Sequence, residues 1–450
     1  KFGGSVLKNG EDVENIEKII TRSKGEDKVV VCVFSAFYGI TNQLLELVKK
    51  ASKGEDYGID FEELKSRHTH LLDELNIAEE KQEVEEFLTK LEHILITISD
   101  TGVAGSEALD FVLSFGERLS SFTIYKFLSK RHLAFYVKSS EIIKTDSTFG
   151  YAKVDVERTE EQIKRQFEGI KEGIVVCAGF IGSDADGRIT TLGRNGSDYS
   201  AAIIAGALNA DCLEIWKDTN GLYTADPKIV KEPMLIKNIT YQEMMELSAL
   251  GNKVVHMNAI FPCVRKKIPI FLKNCYNVEN FGTKISNEKE ENCVVNGIVK
   301  FDGVYLLRFK IGELSDATAF LIKMQKIIKK FENSIITISQ NIKQRLYSLV
   351  VMKDGLEKIG DDFNENLKEF FDKSNVKMDV SEEMSMISVV GPDLSSILGV
   401  AGRLFDAVYK NGIIIDGIHD DFSATRISFL CQKKDASRAV EVLHDEFIKF

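Results

Sequence analysis

A strand, a glycine turn and an apolar helix follow one another without a break near the middle of the chain, and few folds accept that succession. Ile174-Val175-Val176-Cys177-Ala178-Gly179-Phe180-Ile181 is a run of β-branched and small apolar residues, as expected of a strand covered on both faces. Asp184-Ala185-Asp186-Gly187 resembles the start of a calcium loop but lacks the closing glutamate, so a hairpin turn is expected. Gly193 and Gly196 then flank Arg194 and Asn195, Ser197-Asp198 takes the helix N-cap position, and the stretch 201–208 is apolar on nearly every side. Two readings fit. A glycine turn at a helix start is an anion site, with Arg194 supplying a fork for a carboxylate or phosphate. The plainer one is a tight turn into a capped helix.

The N-terminal half repeats this grammar. Lys1-Phe2-Gly3-Gly4-Ser5 reads as a strand end running into a glycine turn, so a strand is expected upstream of Lys1. A helix with Val13, Ile16, Ile19 and Ile20 on one face leads to the apolar strand 29–34 and a polar loop, 35–42. Residues 44–99 are helical in pattern, with His68 and His70 read as surface residues. Gly116 sits inside a further helix beside Glu117 and Arg118. A helical glycine costs about 1 kcal/mol against alanine, which points to a close approach there. Glu117 and Arg118 are either a solvated pair or face a ligand. After a short strand at 212–216, Asn220-Gly221 and Asp226-Pro227 mark a polar loop, where open α/β sheets bind ligands. Residues 268–273 read as a last strand, placed at an edge by Pro269.

Beyond the charged stretch 286–292 the order of elements changes. Strand, helix, strand, strand, helix is expected over 304–371 and again over 384–447, two copies of an α+β unit matched in pattern and not in identity. The domains expected are therefore 1–285, a linker at 286–298, and regulatory units at 299–380 and 381–450.

Several classes are excluded. A net charge of −11 argues against a broad nucleic-acid surface, and no apolar run reaches membrane-spanning length. Seven scattered cysteines without a C-x-x-C pair argue against a disulfide framework or structural zinc and for the cytoplasm. Neither G-x-x-x-x-G-K-[ST] nor G-x-G-x-x-G occurs. What remains is a set of small-residue loops at strand ends with Lys1, Arg194 and Lys253 as cations and Glu117, Asp198 and Asp218 as anions, an inventory suited to phosphoryl transfer.

Lys1-Phe2-Gly3-Gly4, Ser35 to Asn42, Phe115-Gly116-Glu117-Arg118-Leu119-Ser120, Thr191 to Ser200, Ile215-Trp216 with Gly221 to Pro227, Met245-Glu246-Leu247-Ser248 and Gly251 to His256 together resemble the aspartokinases. The resemblance covers nearly the whole chain. It implies an α/β amino-acid-kinase fold followed by two ferredoxin-like ACT regulatory domains. It also implies ATP-dependent phosphorylation of the β-carboxylate of L-aspartate to 4-phospho-L-aspartate, the first step towards lysine, threonine and methionine. Lys1 would neutralise the transferred phosphoryl group, with Asp198 orienting it. Gly3, Gly4 and Ser5 would cradle phosphate. Thr41, Glu117, Arg194, Gly196 and Ser197 would bind aspartate, and Asp218, Tyr223, Lys228 and Lys253 would line the nucleotide pocket. Mg²⁺ would bridge the phosphates with few protein ligands and no dedicated metal site. Lysine or threonine would bind as feedback effector near Gly312, Glu313 and Ser315 or near Asp393 and Ser395. A homodimer or homotetramer through the ACT domains is implied, with neither nucleic acid nor membrane as partner. The chain departs from the family at Lys217, where threonine is common, and in a glycine loop one residue shorter. Asn195 is the form seen in bifunctional aspartokinase–homoserine dehydrogenases. A catalytically silent amino-acid sensor of the same fold is the alternative.

Overall fold

The computed structural model describes all residues except 24–27, 250–254, 256, 290–293, 313, 332–333, 342, 373–375, 395, 420–423 and 449–450. The chain forms two compact units, one made of residues 1–222 and 235–290, the other of 223–234 and 291–450.

The first unit runs α1 (Gly10–Ser23), β1 (Val29–Phe34), α2 (Ile40–Ser52), α3 (Gly58–Glu74), α4 (Lys81–Thr101), α5 (Ser106–Ser129), β2 (Ala134–Val137), α6 (Ser139–Ile142) and α7 (Val156–Phe167). It continues with β3 (Gly173–Ala178), β4 (Ile181–Ser183), β5 (Ile189–Thr191), α8 (Gly196–Leu208) and β6 (Leu213–Lys217). The chain leaves this unit within β7 (Leu222–Tyr223) and returns at β8 (Leu235–Ile236), followed by β9 (Asn238–Thr240), α9 (Tyr241–Ala249), α10 (Met257–Lys266), β10 (Ile270–Asn274) and β11 (Thr283–Ser286).

Strand β3, buried along its whole length, pairs in parallel with β1 and β2, as its unbroken apolar sequence requires. The other half of the sheet has the order β6-β10-β11-β9. Phe2 joins the halves. It pairs in parallel with Phe34 on one side and Trp216 on the other, and its ring stacks on both at 5.4 and 6.3 Å. The 181–191 segment is the expected hairpin: Asp184 accepts from the amides of Asp186 and Arg188, and Gly187 turns the chain with φ +80°.

Two expectations fail here, and one of two open alternatives is excluded. β10 is not an edge strand, because it lies between β6 and β11, and Pro269 precedes it and lends only its carbonyl to the Leu213 amide. His68 is buried, its Nδ1 2.8 Å from the Leu64 carbonyl; burial pushes its pKa down to about 4 and keeps it neutral. Glu117 and Arg118 are not a pair: the guanidinium lies over the rings of Phe87, Phe111 and Phe115.

In the second unit, β12 (Gly297–Ile311), α11 (Leu314–Lys330), β13 (Ile335–Asn341), β14 (Leu346–Met352), α12 (Lys353–Asn366), α13 (Lys368–Asp372) and β15 (Val376–Val380) form the first repeat. The second contains β16 (Met384–Val390), α14 (Val400–Lys410), β17 (Gly417–His419), β18 (Arg426–Gln432) and α15 (Ala436–Phe447). The repeats share one sheet, ordered β13-β14-β12-β16-β18-β17 with β15 also on β12. Long β12 makes this possible: residues 297–304 pair with β16 and residues 304–310 with β14. Each repeat keeps its own core, one around Phe309, Phe320 and Phe363, the other around Phe429, Leu404 and Leu443. Ala225 and Val230 belong to the latter core, and buried Thr224 Oγ1 lies 2.9 Å from His444 Nε2. Segment 223–234 is thus part of the C-terminal unit although the sequence pattern groups it with the first.

Candidate active site

The entry to α8 is built by left-handed backbone. Gly193 has φ +75°, and a Cβ there would lie 2.5 Å from the Tyr151 ring. Asn195, the N-cap, has φ +55°. Asparagine is among the few side chains that take this conformation readily, which gives the residue a physical reason. The expected cap is corrected: neither Ser197 nor Asp198 caps the helix, because both lie within its first turn, and Asn195 makes no side-chain cap bond. The turn is braced from α5, where buried Asp110 accepts from the Thr191 amide and hydroxyl at 2.7 and 2.8 Å and from the Gly150 amide at 2.9 Å. Gly179 and Gly196 allow the end of β3 to touch α8; a Cβ on Gly179 would fall 2.5 Å from Ser197 Cβ.

Freed from capping, Asp198 collects charge. Its Oδ1 is 2.6 Å from Lys1 Nζ and its Oδ2 3.2 Å from Lys217 Nζ, with 2% of its side chain exposed. Burial opposes its ionisation, yet the two ammoniums hold its carboxyl below the usual range. Lys1 is pushed down by burial, and Lys217 adds to that against the pull of Asp198. Glu117, reaching the cluster from α5, is pushed up to about 7 by burial; hydrogen bonds from the Ala36 amide and Ser197 and the charge of Lys1 oppose the rise. Gly116 beside it answers the expected close approach, since a Cβ there would lie 2.9 Å from Ala36 Cβ.

The glycine loop lies above this cluster. Gly3 donates to the Trp216 carbonyl at 3.0 Å, the chain turns through a short 3₁₀ segment (Gly4–Val6), and Ser5 Oγ donates to Asp218 Oδ1 at 3.1 Å. Thr41 stands half-buried in the first turn of α2, after Gly39 at φ +82°. Lys1, Gly3, Gly4, Ser5, Glu117, Gly196, Ser197, Asp198 and Asp218 are therefore one neighbourhood. Arg194 is exposed on the turn and makes no hydrogen bond or ion pair among the described residues. Tyr223 and Lys228 fall in the C-terminal unit, and Lys253 lies outside the described residues. Lys217, expected only as a departure from the family, joins the cluster; Asp110 was not among the expected site residues, and nothing local marks it.

A cavity of about 600 Å³ extends behind Lys1 between β1 and β6, lined by aliphatic residues such as Val29, Val31, Ile204 and Leu213. Its lining includes neither Arg194 nor Asp198. Among the described residues no three His, Cys, Asp or Glu side chains are grouped to hold a metal, and no helix is long and apolar enough to cross a membrane.

Of the expected effector residues, Gly312 is exposed and its carbonyl accepts from Arg345, and Asp393 turns the chain after β16 with φ +56°. Ser315 lies in α11, and Glu313 and Ser395 lie outside the described residues.

A mostly parallel sheet with a glycine loop and a buried Lys–Asp–Lys cluster at a helix start is an arrangement suited to phosphoryl transfer, and residues 1–274 match the amino acid kinase family. The chain belongs to that family, and residues 387–447 match the ACT domain. Over its whole length it is similar to aspartokinases. The lysine-sensitive aspartokinase 3 of Escherichia coli is 28% identical over all of this chain and 98% of its own length. The crystal structure of E. coli aspartokinase III in complex with aspartate and ADP superposes with a TM-score of 0.84 at 26% identity, covering 99% of this chain and 98% of that one. A bifunctional aspartokinase/homoserine dehydrogenase of Buchnera aphidicola is 28% identical over 99% of this chain, which spans 56% of that relative's length.

Proposed function

We propose that the chain is an aspartokinase of the cytoplasm, transferring the γ-phosphoryl group of ATP to the β-carboxylate of L-aspartate. One carboxylate oxygen bonds to the γ-phosphorus as the bond to the β–γ bridging oxygen breaks, and the electron pair leaves on ADP. The nucleophile arrives charged, so no activated serine or cysteine is needed. The observation that carries the reading is the buried Asp198 holding Lys1 beneath the Gly3–Gly4 turn. An ammonium fixed there, poorly hydrated, neutralises charge as it builds on the phosphoryl oxygens. Arg194 reaches the α-carboxylate of aspartate from the turn, and Glu117 and Ser197 its ammonium end.

Mg²⁺ carried in by the triphosphate would neutralise its charge further. Asp198 has both oxygens taken by lysines, so Asp218, exposed beside Ser5, is the carboxylate of the cluster that fits such a cation. The lysine sensitivity of the E. coli relative supports lysine as the feedback effector, bound in the ACT unit at the turns holding Gly312 or Asp393, in a homodimer or homotetramer.

A coupled assay of ADP release tests the reading. Turnover is expected with L-aspartate and not with glutamate derivatives, and inhibition by lysine is expected at fixed substrate. ADP release with an N-acylated glutamate in place of aspartate would overturn the substrate, and ATP binding without transfer would overturn the activity.

A further inference from the structure

Asp110 has no part in the reading above, yet it is a fully partnered carboxylate inside the first unit. It is 1% exposed, and its partners are the amides of Gly150 and Thr191 and the Thr191 hydroxyl. No ion pair joins it to a cation among the described residues. A carboxylate buried without a cation is a costly way to fasten a loop, since an apolar side chain of similar size would pack there without the desolvation. What the carboxylate supplies is direction. Oδ2 gathers amides from two separate segments and Oδ1 takes the hydroxyl, so both segments are fixed at one place on α5.

Both segments lead to Arg194. Thr191 stands three residues before it, and Leu192 between them donates to the Phe180 carbonyl at 3.0 Å. Ala152, next in sequence to Tyr151, donates to the Thr191 carbonyl at 2.9 Å, and the Tyr151 ring lies against Gly193, where a Cβ would fall 2.5 Å from it. Arg194 itself is exposed and untethered among the described residues, so its guanidinium is aimed by the backbone of the turn. Glu117 lies two helical turns beyond Asp110 on α5, on the same face and about 10 Å further along the axis. One helix thus carries Glu117 and, through Asp110, holds the turn that carries Arg194.

We propose, resting on the kinase reading, that Asp110 is a positioning residue for aspartate. It sets the Arg194 turn against α5, so that the guanidinium for the α-carboxylate stands at a fixed distance from the Glu117 carboxylate for the ammonium. Asp110 acts through Arg194 and leaves the nucleotide side, at Lys1 and Ser5, unchanged. A clamp displaced by about 1 Å loses much of its binding, which gives the brace its functional weight.

Steady-state kinetics of the full chain test this on wild type, Asp110→Ala, Asp110→Leu and Asp110→Asn, each alone and combined with Arg194→Ala. An asparagine amide can repeat the pattern, its oxygen accepting from both backbone amides and its NH₂ donating to the Thr191 hydroxyl. In the Ala and Leu variants the KM for aspartate is expected to rise at least tenfold, while the KM for ATP stays within twofold and kcat within threefold. Asp110→Asn is expected to keep the KM for aspartate within threefold of wild type. Beside Arg194→Ala, which removes the group being aimed, Asp110→Leu is expected to lower kcat/KM for aspartate by less than a further twofold. Thr191→Val, which deletes one of the three bonds, is expected to raise the KM for aspartate two- to fivefold, and it carries the test if the Asp110 variants fail to fold. Equal rises in both KM values, or a fall in kcat alone, would make Asp110 a structural residue and overturn the proposal. So would an Asn variant as poor as Leu, full additivity with Arg194→Ala, or an unchanged KM in Thr191→Val. Wild-type protein that shows no aspartate-dependent ADP release would overturn the kinase reading itself, and this proposal with it.

Discussion

Two helices of this molecule are entered in the same way and differ in everything else. α8 follows Asn195 at φ +55°, and α14 follows Gly399 at φ +85°; neither N-cap residue makes a side-chain cap bond. In both, a left-handed residue swings the chain from strand direction into a helix. α8 is buried on nearly every side and sets Asp198 in its first turn between two lysines. α14 has no acidic residue in its first turn, is amphipathic, and leaves Tyr409 in solvent, with Leu398 exposed just before the helix. The backbone device alone is therefore not a site. Burial and a charge that must be answered turn the same geometry into one.

The comparison breaks most severely at Asp198. Asp198→Asn removes the carboxylate that holds both ammoniums, so turnover should fall by roughly a thousandfold, the scale of losing a preorganised electrostatic partner. Thermal unfolding should show a loss of about 3 kcal/mol from the buried Lys1 ammonium deprived of its carboxylate. Retention of wild-type kcat would refute the site.

Next comes the pH response of Glu117. Its folded pKa of about 7 lies above the ordinary glutamate value, so the folded state binds the extra proton between pH 4.5 and 7. Its contribution to stability therefore declines as pH rises through that window. Glu117→Gln should remove the decline, gaining up to about 3 kcal/mol on wild type between pH 5 and pH 8, read from chemical denaturation at each pH. Parallel stability curves for the two proteins would contradict it.

The backbone device gives smaller effects. Asn195→Val places a β-branched residue at φ +55° and should cost about 1–2 kcal/mol, whereas Asn195→Gly should change stability by a few tenths. Gly399→Ala, at the exposed counterpart, should cost about 1 kcal/mol at most. Melting curves of the three variants rank them, and a larger loss at Gly399 than at Asn195→Val would reverse the comparison.

What could be read from the chain follows the range of the interactions. β1 and β3 announce themselves because a strand covered on both faces must be apolar throughout, and α8 because a helix buried on all sides must be too. Gly116 was legible as a close approach because a helical glycine has a cost. β11 and β15 were not foreseen: each is only four or five residues long, β11 is wedged between its chain neighbour β10 and the more distant β9, and β15 pairs with β12 far away in sequence. The same holds for the sheet shared by the two repeats, which depends on β12 being long enough to pair twice. Within the site, residue types pointed to Lys1, Glu117 and Asp198, but the sequence pattern cast Asp198 as part of a cap. The family resemblance already assigned Asp198 to Lys1, and the left-handed Asn195 shows why its carboxylate is not spent on a cap. His68 was misread because a histidine on a helix carries no mark of which face it occupies.

The placement of segment 223–234 makes the two units inseverable. Ala225 and Val230 are packed into the C-terminal core, and Thr224 meets His444 there, although both ends of the segment continue into the first unit. A fragment ending at residue 290 would carry this stretch without the partners that shape it, and a fragment beginning at 291 would have a core with two residues missing. Neither unit can therefore be cut out along the sequence and remain whole.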